Sequence, residues 1–175
     1  MLEAILSADV VDAVHDKNPL GEPEGKATKI HLLKKEKTKM LGKFYNINSN
    51  TLASGAIMPL ATSRTCGCGI RLEGNEIVIS TPGSYLIGVS VTAAQTGTTA
   101  MGVRLLVSTP SGVTVQSEGG SASSSDATAG NIRTLAFTDT VRMCKNNCCQ
   151  PTRVSLLATG AMTVSNIIVT VARID

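Results

Sequence analysis

Gly69-Ile70-Arg71-Leu72-Glu73-Gly74-Asn75-Glu76-Ile77-Val78-Ile79-Ser80-Thr81-Pro82-Gly83-Ser84-Tyr85-Leu86-Ile87 sets two turns between short apolar runs, the pattern of successive β-strands. Glu73-Gly74-Asn75 and Pro82-Gly83 carry turn chemistry, because Gly accepts positive φ and Pro pre-sets its own. Between these turns lie short runs of β-branched and aromatic residues, which suit a pleated, half-buried surface. After the second turn Tyr85, Ile87, Val89 and Val91 fall on one face, with Gly88 and Ser90 on the other. Period-two alternation of this kind marks a strand.

The same rhythm extends to the C-terminus. Val103, Leu105 and Val107 alternate around Arg104, Val113 and Val115 flank Thr114, and Ile167, Val169 and Val171 alternate with Thr170 and Ala172. Strands are predicted near 52–60, 67–72, 76–80, 84–93, 101–108, 113–118, 132–142, 153–159 and 163–174, with a flexible Ser- and Gly-rich loop from Gly119 to Gly130. Eight or nine strands with no helical interruption imply an all-β fold, an antiparallel jelly-roll β-sandwich. Ile77-Val78-Ile79 and Leu156-Leu157-Ala158 are apolar on both faces, which points to burial on both faces and to an oligomer interface.

The composition fits this fold. The 175 residues hold 42% hydrophobic residues and 16 Gly, no Trp, and only Phe44, Tyr45, Tyr85 and Phe137 as aromatics. So few rings weigh against a sugar-stacking lectin or a single-stranded nucleic-acid platform. A net charge of +3 is too mild to imply nucleic acid.

The charge is segregated along the chain. Residues 1–25 carry Glu3, Asp9, Asp12, Asp16, Glu22 and Glu24 against Lys17, a balance of −5; residues 26–43 carry seven lysines against Glu36, a balance of +6. Leu2, Ile5, Leu6, Val10 and Val14 recur at helical spacing over residues 2–15, a short amphipathic pattern that needs a partner surface. The Asn18 to Gly25 stretch, with Pro19 and Pro23, breaks any helix. Residues 1–45 therefore read as an extended, partly helical N-terminal arm ending in a basic strap, and residues 46–175 as the head. Leu2, Ile5, Leu6, Val10, Val14, Lys34, Lys35, Lys37 and Lys39 are the candidate attachment residues of that arm.

Catalysis finds little support. Both histidines, His15 and His31, lie in the arm, so the serines of the head lack the usual base. The five cysteines are the sharpest chemical feature: Cys66-Gly67-Cys68 and Cys144 with Cys148-Cys149. As thiolates they suit tetrahedral zinc, although Cys-x-Cys is tighter than the usual two-residue gap. Disulfides, with one thiol left over, are a second reading, and free cysteines behaving as small hydrophobes are a third. No other cofactor is implied.

The quoted stretch, with its Pro-Gly-x-Tyr-x-Ile strand, resembles the early strands of the trimeric jelly rolls of tumour necrosis factor and complement-like heads, and more closely their phage and bacterial relatives. Pro151 to Gly160 and Val164 to Ile174 are similar to that group's closing hairpin. The likeness covers roughly residues 50–175. Spore-surface filament proteins of the group place such a head after a collagen-like stalk, and this chain has no Gly-x-y repeat. Phage head-decoration and head-fibre proteins place it after a short capsid-binding arm. The resemblance thus implies a structural virion protein, a homotrimer partnered by itself and by the major capsid protein. A receptor- or surface-binding tip and a cysteine-dependent metal or redox protein are the competing classes. With neither a signal-peptide pattern nor an apolar run of ~18 residues, synthesis in a host cytoplasm and display on the virion surface, without membrane contact, are expected.

Overall fold

The computed structural model describes residues 40–108, 114–125, 128–143 and 151–175. They contain no helix and eleven strands: β1 (Leu41–Asn46), β2 (Asn50–Leu52), β3 (Thr62–Cys66), β4 (Ile70–Glu73), β5 (Glu76–Ile79), β6 (Gly83–Gln95), β7 (Gly102–Ser108), β8 (Thr114–Ser123), β9 (Ile132–Met143), β10 (Thr152–Thr159) and β11 (Met162–Arg173). The first sheet runs β3-β1-β11-β6-β9, with β2 also paired to β11; the second runs β4-β5-β10-β7-β8. Every pairing is antiparallel. The expected jelly-roll sandwich is what forms.

The core lies between the sheets, filled by the alternating residues that the sequence displays. Tyr85, Ile87, Val89, Val91 and Ala93 of β6 and Ile167, Val169 and Val171 of β11 meet Val103, Leu105, Leu156, Ala158, Ile77 and Ile79 from the other side, all buried. Along β11 the inward phase slips by one residue: Val164 is inward, Ile167 is the next, and the register with β6 shifts between Val164 and Asn166. That bulge keeps Asn166 out of the core. The buried polar groups are satisfied, as stability requires. The amide of Asn46 donates to the Pro59 carbonyl at 3.1 Å, and that of Gln95 to the Gly97 carbonyl at 3.0 Å.

Several expectations change. The strand expected at 52–60 is two segments in different sheets. Asn50–Leu52 pairs with β11, and then Gly55 N–H donates to Ala158 O and Met58 N–H to Leu156 O, both at 2.8 Å. Gly55, at φ 86°, turns the corner, a conformation that costs an L side chain energy. Pro59, lacking an N–H, follows the pairing. The expected 67–72 strand starts only at Ile70, because Gly67 and Gly69 both adopt positive φ. The loop expected from Gly119 is strand as far as Ser123, paired with β7 through Gly102, Val103 and Arg104.

Sheet pairing also begins earlier than residue 46. Leu41–Asn46 lies between β11 and β3, and Phe44 is fully buried. Neighbouring lysines masked its alternation in the sequence. The remaining arm residues, with the helical pattern at 2–15, lie outside the described residues.

Two-sided burial of β5 has an explanation within one chain. Ile77 and Ile79 face the core, and Val78 faces outward yet is 0% exposed. Arg71 and Arg153 stand directly opposite it on the two neighbouring strands. Their guanidinium groups are tied together by Glu73, at 2.6 and 2.9 Å, and Glu76 holds Arg153 at 2.8 Å. Aliphatic arginine stems shield apolar neighbours while their heads stay wet. Val78 is thus no sign of an oligomer interface.

Candidate interaction face

The two outer faces of the sandwich differ in chemistry. The second sheet presents the Arg71–Glu73–Arg153–Glu76 network, with Arg71 also donating to the Ser80 hydroxyl at 2.9 Å. Opposite charges held in one chain need no outside partner. The Arg71 guanidinium, ahead of Arg153, holds the Glu73 carboxyl below the ordinary carboxylate range. This face is suited to water.

The outer face of the first sheet is built otherwise. Its strand register gives three rows across all five strands: Cys66-Leu41-Ala172-Leu86-Thr140, Arg64-Lys43-Thr170-Gly88-Thr138 and Thr62-Tyr45-Ile168-Ser90-Ala136. No carboxylate stands in any row, and toward β6 and β9 the side chains are mostly Gly, Ala, Ser and Thr. Leu41 at 52% and Leu86 at 41% exposure are large apolar side chains left facing outward. The short side chains leave the β6–β9 half low. At Gly88 a Cβ would come within 2.8 Å of the Thr170 hydroxyl, so the residue keeps the centre of the face shallow.

Two concavities open on this face. One, of about 430 Å³, centres on Gly88, Ser90, Ala136, Phe137, Thr138, Ile168 and Thr170. The other, of about 400 Å³, is lined by Lys43, Tyr45, Ile47, Arg64, Asn166 and Ile168. Sequence reading missed the face as a whole. Its signal was present in the outward set of each strand, but only the cross-strand register assembles those sets into one surface.

Of the residues singled out from sequence, the structure places Cys66 and Cys68. Both are free and exposed, Cys66 at the end of β3 and Cys68 in the turn that follows it. Cys144, Cys148 and Cys149 lie outside the described residues, as do Leu2, Ile5, Leu6, Val10, Val14, Lys34, Lys35, Lys37 and Lys39. Among the described residues no group of three or more His, Cys, Asp or Glu is placed to hold a metal.

No protein-family model matches the chain, and no curated protein sequence matches it. Among solved structures it is similar to murine APRIL at pH 5.0, with a TM-score of 0.59 and 13% identity over 78% of this chain and 99% of that one. Murine APRIL at pH 8.0 gives 0.60 and 10% over the same shares. Eiger, a TNF from S. frugiperda, gives 0.59 and 9% over 79% of this chain and 94% of that one. At these identities the likeness is one of fold, a tumour-necrosis-factor-like jelly roll.

Proposed function

We propose that this chain is a non-enzymatic structural module. Its head self-associates as a homotrimer, its N-terminal stretch attaches it to a virus capsid, and the trimer decorates the virion as a head-decoration or head-fibre protein. The observation that carries the reading is the outer face of the first sheet, low at its centre, without a carboxylate among its described rows and bearing exposed Leu41 and Leu86. Exposed apolar surface on a face of short side chains suits close approach by another protein.

The charge of the face also favours one kind of symmetry. A twofold, face-to-face dimer would set Lys43 and Arg64 against the same cationic, acid-free surface. A heterologous contact, face against a different surface of the next copy, avoids that clash, and such contacts close into rings. Three copies make the smallest ring.

The attachment role rests on the sequence of residues 1–39. An apolar stripe of Leu2, Ile5, Leu6, Val10 and Val14 offers roughly 1.5–3 kcal/mol per buried side chain before ordering costs. Exposed lysine pairs contribute little each, so Lys34, Lys35, Lys37 and Lys39 mainly set orientation and on-rate. Co-sedimentation with empty capsids tests the reading. Deleting residues 2–16 should abolish binding and leave the head folded; changing the four lysines to Ser should slow and weaken it. Full decoration by the deleted protein would move the contact to the head.

A further inference from the structure

We propose that Lys43 and Arg64 form a binding site for an anionic group, a carboxylate or a phosphate, in the groove they share with Tyr45 and Asn166. The two cations are directly opposite each other on β1 and β3. Like charges so placed repel, and sheets ordinarily relieve such a pair with an acid nearby. Among the described residues, none that lines the groove is an acid, and no carboxylate occupies the neighbouring outward positions Leu41, Tyr45, Thr62, Cys66 or Thr170. Among the described residues, neither Lys43 nor Arg64 makes an ion pair, in contrast to Arg71, Arg153 and Arg173, each held by a carboxylate.

The rest of the groove suits a small anion with an apolar or planar body. At about 400 Å³ it has room for one, between Tyr45, Ile47 and Ile168. Arg64 supplies a planar fork that fits two oxygens of a carboxylate or phosphate, and Lys43 a compact point charge beside it. Asn166 and Tyr45 line the same space, and an amide and a phenol are donors of adjustable direction. All of these parts come from one chain. The site is therefore complete without a partner copy, but it lies on the face proposed for self-association, and a ligand bound there would neutralise the cationic part of that face.

Calorimetric titration of the full chain with pyrophosphate and with citrate, at matched ionic strength, tests this, with the mass of each sample followed by light scattering. Saturable binding of either probe is expected, weakened at least tenfold by Lys43→Gln with Arg64→Gln together. The change Arg142→Gln, on the same face but across the sheet, should leave it unaltered. Saturation by pyrophosphate alone assigns a phosphate ligand, and by citrate alone a carboxylate. Without anion, the double variant should melt at or above the wild-type temperature, because the repulsion is gone. Absence of saturable binding, or binding indifferent to the double change, overturns the proposal. A monomeric protein that binds anion would overturn the trimer instead.

Discussion

Val78 shows how a single side chain can be misread from sequence. Three apolar residues in a row on β5 suggest a strand covered on both sides by protein, and Val78 is indeed covered. Its cover is a ring of charged residues, whose stems shield it while Glu73 joins the two guanidinium groups. Carboxylates held by arginine, there and at the C-terminal end of β11, make acid stability predictable. Arg71 holds Glu73 below the usual range, and Arg173, with the Ser84 N–H at 2.8 Å, does the same for Asp175. A carboxyl depressed in the folded state adds stability above its unfolded pKa, about 4, and loses it as pH falls through the folded value. Thermal melting should therefore separate wild type from Glu73→Gln at pH 7, and the gap should close below about pH 4. Because both groups are solvent-exposed, the gap should be modest and shrink in salt. The opposite extreme is Val169, fully buried on β11. Val169→Asp buries an unpaired charge at a cost of several kcal/mol, so denaturant melting should show a largely unfolded protein.

At the scale of the element, regular strands were legible and corners were not. β6, β7 and the second half of β11 announce themselves because Tyr85 to Val91, Val103 to Val107 and Ile167 to Val171 keep their alternation without a break. Residues 50–66 hid their course: β2 pairs in the first sheet, Gly55 turns the chain across to β10, and β3 returns to the first sheet. Alternation records which residues are buried but not in which sheet. β1 was hidden for another reason, since Lys43 and the lysines before it read as a solvated strap while Phe44 and Asn46 point into the core. The outer face was illegible because it depends on register. Serine, threonine, alanine and glycine on the polar side of separate strands look like ordinary solvent positions until five strands bring them together. The placement of β1 gives a direct expectation. A chain beginning at Met40 should melt cooperatively, by circular dichroism. One beginning at Ile47 loses Phe44 and the β11 pairing partner of residues 167–172, and should fail to do so.

For the whole molecule, the two outer faces divide the work. One is closed upon itself by ion pairs; the other carries no carboxylate among the described residues of its rows, keeps its side chains short at the centre and leaves apolar groups exposed. Light scattering on the full chain decides whether that second face brings copies together as proposed. Three times the 18.1 kDa chain mass is expected at micromolar concentration. Ser90→Arg, which raises a charged side chain in the middle of the face, should reduce it to one chain mass with an unchanged circular dichroism spectrum. A wild-type protein that stays monomeric, or a Ser90→Arg protein that remains trimeric, would contradict it.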